Sequence, residues 1–180
     1  MRIISGRYKG RRVTAPKKLP ARPTTDFAKE ALFNILNNHY HLGAISVLDL
    51  FAGIGGISFE FASRGCQDLT CVEQHYQSSK FIQKTADELD FNLRVIATDA
   101  FQYLAKCHRT FDVIFADPPY DFEVEKIAKI SSPIFEKKLL NEDGYLIIEH
   151  SKHTDLSQFD HFCYAKKYGS SMFSFFQETK

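Results

Sequence analysis

A mixed α/β domain, with a mostly parallel sheet and helices on both faces, is the fold class this sequence predicts, and three observations carry it. Short apolar runs alternate with segments of helical periodicity from residue 45 to residue 149, the order expected of βαβ units. Two aromatic runs near the end are joined only by Gly169-Ser170, too short for a crossover, so the C-terminal strand should run antiparallel. The 180 residues, 44% hydrophobic and 25% charged, suffice for one domain with a full core and exclude disorder over most of the length.

The elements follow in order. Residues 2–15 read as two short strands around a glycine-bounded turn, an N-terminal β-hairpin arm. Thr24, Thr25 and Asp26 are helix-capping residues, and Phe27, Ala31, Leu32, Ile35 and Leu36 recur at helical spacing, predicting an amphipathic helix over 27–40. Strands are expected at 45–50, 68–73, 92–98, 111–116, 145–149, 161–168 and 171–176, which makes a seven-stranded sheet. Helices are expected between them at 55–64, 78–89, 100–107 and 124–140, the last broken near Pro133. The chain divides into a basic arm and loop, 1–25, and a single domain, 26–180.

Charge is unevenly spread. Residues 1–25 carry eight bases and no acid, whereas the rest carries fifteen bases against all 22 acids. Arg2, Arg7, Lys9, Arg11 and Arg12 alternate with Ile3, Ile4, Tyr8 and Val13, so the arm should present its bases on a structured surface suited to a nucleic acid. No apolar stretch approaches the roughly 20 residues of a spanning helix, and the basic start lacks the apolar core of a signal peptide. A soluble, cytoplasmic protein without a membrane partner is expected. Cys66, Cys71, Cys107 and Cys163 form no pair at metal-ligand spacing, so neither a disulfide framework nor a metal site is expected.

In an open parallel sheet, ligands bind beyond the carboxyl ends of the strands. Four of the expected strands place unusual residues there. The first runs into Asp49-Leu50-Phe51-Ala52-Gly53-Ile54-Gly55-Gly56, a loop whose glycines permit a tight turn and close approach to a ligand. The second ends in Glu73, placed to accept ribose hydroxyls, followed by Gln74. The third ends at Thr98-Asp99-Ala100, and the fourth at Asp117-Pro118-Pro119-Tyr120. A glycine loop and a ribose acid also suit a nicotinamide enzyme, but the third glycine of that fingerprint would fall at Ser58.

Asp117-Pro118-Pro119-Tyr120 suits amine chemistry. The exocyclic amine of a base is a weak nucleophile because its lone pair is delocalised into the ring. Acceptance of its two protons by the Asp117 carboxylate and the Pro118 carbonyl would favour a pyramidal nitrogen and aim the lone pair at an electrophile. The prolines fix the backbone, and Tyr120 can stack on the base.

Asp49-Leu50-Phe51-Ala52-Gly53-Ile54-Gly55 with Asp117-Pro118-Pro119-Tyr120 resembles the S-adenosylmethionine-dependent amino-methyltransferases of the class I Rossmann-like fold. The stretches Met1-Arg2-Ile3-Ile4-Ser5-Gly6-Arg7-Tyr8-Lys9-Gly10-Arg11, Arg22-Pro23-Thr24-Thr25-Asp26 with Glu30-Ala31-Leu32-Phe33-Asn34-Ile35-Leu36, and Tyr168-Gly169 look like the RsmD family. That likeness implies methylation of the N2 amine of a guanine in 16S ribosomal RNA, on the assembled small subunit, by a monomer using S-adenosylmethionine and no metal. It further implies that Asp49, Phe51, Gly53 and Gly55 surround the methionine end of the cofactor, Glu73 its ribose with Gln74 beside the adenine, and Asp99 and Ala100 the adenine amine. Arg22, Thr24 and Thr25 would close over the cofactor, with Asp117, Pro118 and Tyr120 as the catalytic target-base site. A DNA adenine or cytosine amino-methyltransferase would share the tetrapeptide, but every segment around it is needed for the sheet, which leaves no room for a sequence-reading module. A non-catalytic assembly factor of the same fold is the other alternative.

Overall fold

The computed structural model describes residues 1–20 and 24–178. Its elements are α1 (Asp26–His39), β1 (Ser46–Leu50), α2 (Gly56–Ser63), β2 (Asp68–Val72), α3 (Tyr76–Glu88), β3 (Leu93–Ile96), α4 (Ala100–Lys106), β4 (Phe111–Ala116), α5 (Val124–Glu136), β5 (Leu140–Ser151), β6 (Phe162–Tyr168) and β7 (Ser171–Phe176). One seven-stranded sheet results, in the order β3-β2-β1-β4-β5-β7-β6. The first five strands in that order pair in parallel, and β7 runs antiparallel to both β5 and β6. The order reverses between β1 and β4, which opens the crevice where such sheets bind ligands.

Both faces of the sheet are covered, so the central strands are apolar on both sides. On one face Val47, Val113, Phe115 and Ile147 pack with Leu32 and Phe33 of α1, Phe59 of α2 and Ile82 of α3. On the other, Leu48, Leu50, Ile114 and Ile148 pack with Leu104 of α4 and with Ile127, Ile130 and Ile134 of α5. Alternation along β1 assigns Val47 to the first face and its neighbours Leu48 and Leu50 to the second.

The structure departs from the sequence expectations at three places. The N-terminal ladder shrinks to a single bridge, Arg2 with Arg12, because the backbone amides of Ile4 and Ser5 donate to the two oxygens of Glu60 in α2, at 2.9 and 3.0 Å. Helix α5 runs through Pro133 to Glu136. A proline this near the C-terminus forfeits one intrahelical hydrogen bond, while the buried Ile127, Ile130 and Ile134 hold the helix to the sheet. Strand β5 begins at Leu140 instead of Tyr145, since the polar run Asn141-Glu142-Asp143-Gly144 forms an irregular pairing with β4 in place of a free turn.

Residues 1–20 are built onto the domain. Ile3 and Val13 are buried in the same core as α1 and α2. A methyl group at Gly6 would lie 1.9 Å from the Ser63 carbonyl oxygen at the end of α2, and its φ of +82° also favours glycine. That close approach lets the Arg7 amide donate to the Ser63 carbonyl at 2.7 Å and the Tyr8 amide to the Ser63 hydroxyl at 3.0 Å.

Candidate active site

A cavity of about 350 Å³ opens at the carboxyl ends of β1, β2, β4 and β5. The β1–α2 loop forms its floor. The Gly55 amide closes a turn onto the Ala52 carbonyl at 2.7 Å, and the Ala52 amide bonds the Val72 carbonyl at 3.0 Å, tying the loop to the end of β2. Phe51 and Gly53 both have positive φ, 60° and 59°. For a phenylalanine this is a strained conformation of the kind held at functional sites. The Phe51 ring is clasped edge-on by Phe101 and Phe122, at 6.1 and 5.9 Å between centroids.

Two loop glycines have different reasons. A Cβ at Gly53 would touch only the Phe51 carbonyl oxygen, at 4.0 Å, whereas one at Gly55 would lie 2.9 Å from the Phe59 ring and 3.2 Å from Ile82. Gly55 therefore seats α2 against α3 and does not line the cavity.

Glu73 is buried and its two oxygens accept the amides of Gly53 and His75, each at 2.7 Å. Each oxygen keeps a lone pair for a ligand hydroxyl. Asp49 is 1% exposed, and its carboxylate accepts the Ser58 hydroxyl at 2.6 Å. Burial pushes the Asp49 carboxyl up to about 7; the Ser58 hydrogen bonds oppose the rise and the negative charge of Glu73 adds to it.

The expected residues Thr24, Thr25, Asp49, Phe51, Gly53, Glu73, Gln74, Ala100, Asp117, Pro118 and Tyr120 all line this one cavity. Ile54 and Thr98 line it as well. Asp99 stands just outside, where its side chain caps α4 by accepting the Gln102 amide at 3.0 Å. Thr25 caps α1 by accepting the Ala28 amide at 3.2 Å. Arg22 lies outside the described residues.

Sequence reasoning missed Glu149, 2% exposed at the end of β5, and Ser171, which begins β7; both line the cavity. Glu149 accepts hydroxyl protons from Thr24 at 2.8 Å, Ser171 at 2.7 Å and Tyr120 at 3.3 Å. The signal for it was available, because Glu149 follows the apolar run Leu146-Ile147-Ile148 near the carboxyl end of β5 much as Glu73 follows β2.

The bases of the arm have different surroundings. Arg2 pairs with Asp26 at 3.0 Å and Arg7 with Asp90 at 3.6 Å. Lys9 is exposed. Arg11 and Arg12 line a second groove, opposite Gln77, Lys80, Lys84 and Glu88 of α3. Among the described residues there is no cluster of side chains able to hold a metal ion, and no helix is long and apolar enough to cross a membrane.

Solved structures show how widely this architecture extends. The Escherichia coli protein yhhF matches over 100% of this chain and 98% of its own, with a TM-score of 0.86 and 24% identity, a likeness that speaks for the fold. The sheet order, with its reversal between β1 and β4, is that of the Rossmann-like fold found in class I methyltransferases. The family described as Conserved hypothetical protein 95 matches residues 1–177. YlbH of Bacillus subtilis is 34% identical over 163 residues, 88% of this chain and 86% of that protein. Ribosomal RNA small subunit methyltransferase D of Buchnera aphidicola (subsp. Baizongia pistaciae) is 35% identical over 150 residues, 83% of this chain and 75% of that protein. The chain belongs to this family, the RsmD-type ribosomal RNA methyltransferases.

Proposed function

We propose that the protein transfers a methyl group from S-adenosylmethionine to the exocyclic N2 amine of a guanine in 16S ribosomal RNA, acting as a monomer on the assembled small subunit. The observation that carries this reading is the single cavity shared by the Gly53–Glu73 loop system and the Asp117–Tyr120 segment. A cofactor and a base can therefore meet there without rearrangement of the sheet.

The residues fit the cofactor. Glu73, already fixed by two amides, has lone pairs left for two neighbouring ribose hydroxyls. Gly53 leaves open the space a side chain would fill, and Phe51 walls the loop. Gln74 and Ala100 line the adenine end, with Asp99 turned toward the helix it caps. Thr24 and Thr25 close the cavity from the side of α1. When bound, S-adenosylmethionine supplies an electrophilic methyl group.

The chain's own contribution is placement. The Asp117 amide donates to the Leu50 carbonyl at 3.4 Å, fastening the segment to the end of β1 beside the loop. The Asp117 carboxylate and the Pro118 carbonyl accept the two amine protons of the guanine, and Tyr120 stacks on its face. The amine lone pair is then directed into the cavity, and the proton lost after transfer has the Asp117 carboxylate as its first acceptor. Positioning and electrostatics supply the acceleration, without a strong base. Arg11 and Arg12, joined by Lys80 and Lys84 across the second groove, bind RNA phosphates.

Asp117→Ala tests the reading. Methyl transfer to isolated small subunits is expected to fall by roughly 10²–10³-fold, while affinity for S-adenosylhomocysteine, measured by calorimetry, stays nearly constant. Retained turnover overturns the role of Asp117. Digestion of the wild-type product should yield N2-methylguanosine; label in DNA adenine or cytosine reverses the substrate assignment.

A further inference from the structure

Glu149 sits where three distant parts of the chain meet. Thr24 lies just before α1, Tyr120 ends the segment after β4, and Ser171 begins β7. Their separations from Glu149 are 125, 29 and 22 residues, and all four residues line the cavity. A carboxylate can only accept, so the direction of these bonds is set: Thr24 donates to Oε2, while Ser171 and Tyr120 donate to Oε1. The Tyr120 and Ser171 hydroxyl oxygens are also 3.2 Å apart, which closes a small ring of polar atoms around Oε1.

Burying a carboxylate is costly unless it is well solvated by donors. Nothing in the packing of the sheet calls for an acid there, since the preceding β5 residues Leu146, Ile147 and Ile148 are apolar and buried. What the carboxylate does is fix the far end of the Asp117–Tyr120 segment. The near end is fastened by the Asp117 amide on Leu50, and the prolines stiffen the middle. The register places Ala116 beside Ile148, so Asp117 and Glu149 are the next residues on adjacent strands, at the same edge of the sheet.

We propose that Glu149 is a positioning residue of the target-base site, holding the Tyr120 ring, the Ser171 hydroxyl and the Thr24 segment in the one arrangement that receives the base. This rests on the assignment of Tyr120 as the base-stacking residue. Glu149 acts through Tyr120 and needs no contact with the substrate. A ring tethered at its hydroxyl loses no rotamer freedom when the base arrives, and the Thr24 tether makes the same carboxylate a fastening for the wall that closes the cavity.

The test uses Glu149→Gln, Tyr120→Phe, the double variant and the milder Ser171→Ala in the full-length chain. With isolated small subunits, kcat should fall about tenfold in Glu149→Gln and in Tyr120→Phe, with little further loss in the double variant, because the first removes the charge that strengthens the Tyr120 hydrogen bond and turns one accepting oxygen into a donor, and the second removes the hydroxyl, so both weaken the same tether. KM for the subunits and affinity for S-adenosylhomocysteine should change less than twofold. Ser171→Ala should lie between these variants and the wild type. Additive losses, wild-type kcat in Glu149→Gln, or a fall in cofactor affinity in step with kcat overturns the proposal. A second readout stands apart from activity: NMR of the labelled Tyr120 ring should report an ordered ring in the ligand-free wild type and an averaged one in Glu149→Gln. If the wild type transfers no methyl group, the function reading fails; an unchanged ring signal in Glu149→Gln overturns the positioning role by itself.

Discussion

Two of the buried glutamates organise different parts of this molecule, and they are solvated in different ways. Glu60, fully buried in α2, takes the Ile4 and Ser5 amides together with the Arg64 guanidinium at 2.9 Å and the buried Lys29 ammonium at 3.9 Å. Glu149 takes three hydroxyls. A carboxylate neutralised by cations is a fastener, and here it docks the N-terminal segment. A carboxylate solvated only by hydroxyls keeps its field directed at its surroundings, and at Glu149 those surroundings are the cavity. The same residue type therefore serves architecture at one site and ligand geometry at the other.

Removing the fastener should have the largest effect. Lys29 is drawn below the usual lysine value by burial, an effect that Glu60 and then Asp26 oppose. Glu60→Ala takes from this buried ammonium the stronger of its two opposing negative charges, leaving it the Arg2 carbonyl and Asp26, and leaves two arm amides without acceptors. A loss of roughly 3–5 kcal/mol is expected, read by urea unfolding, with fast hydrogen exchange at the Ile4 and Ser5 amides. Affinity for S-adenosylhomocysteine should persist in the folded fraction. Wild-type stability in this variant would show that the buried Ile3 and Val13 and the Ser63 hydrogen bonds hold the arm without Glu60, and the contrast between the two glutamates would lose one of its sides.

Asp49 is another buried carboxyl and sharpens the comparison, because its described hydrogen bonds come from a single residue, Ser58. With so little solvation its folded value rises to about 7 from an ordinary 3.8. Between those two values the native state binds more protons than the unfolded chain, so this group's contribution to stability is present at low pH and is lost as pH rises toward 7. Asp49→Asn keeps an acceptor for Ser58 and removes the charge. Its melting temperature should gain on that of the wild type progressively from pH 4 to pH 7, and equal pH profiles would mean that Asp49 is ionised at no cost.

The sheet and most of the site were legible because chemistry-bearing residues interrupt apolar runs. Asp49 lies within β1, Glu73 follows β2 and Asp117 follows β4, and each stands out against strands that are otherwise apolar. Glu149 obeys the same rule, but its meaning lies in partners that only the folded chain assembles, the farthest 125 positions away. Glu60 reads as one more polar residue of α2, and Lys29 as part of the wet face of α1, until the arm is laid across them. Gly55 shows the opposite limit. Its glycine was legible, yet what the fold shows to require it is a φ of +82° and the closeness of the Phe59 ring and Ile82. A pattern can mark where a backbone must be bare without showing what comes close to it.

The smallest effect concerns what the fastened arm is for. Docking through Glu60 sets Arg11 and Arg12 opposite Lys80 and Lys84, so four bases face one groove against the single acid Glu88, which already lies 3.7 Å from Lys84. Lys80 also lies 4.6 Å above the exposed Tyr76 ring at the start of α3, two residues past the cavity-lining Gln74. If this surface carries RNA backbone toward the cavity, each phosphate contact contributes a fixed increment to the salt dependence of binding, about 0.7–0.9 in the slope of log K against log salt. Lys80→Glu with Lys84→Glu should then lower that slope by one to two such increments and weaken binding several-fold at low salt, with kcat at saturating subunits unchanged. Glu60→Ala should lower the slope as well, through displacement of Arg11 and Arg12, although it alters no base in the groove. An unchanged slope in the lysine pair, with a lowered one in Arg11→Glu with Arg12→Glu, would confine the RNA surface to the arm and leave α3 out of it.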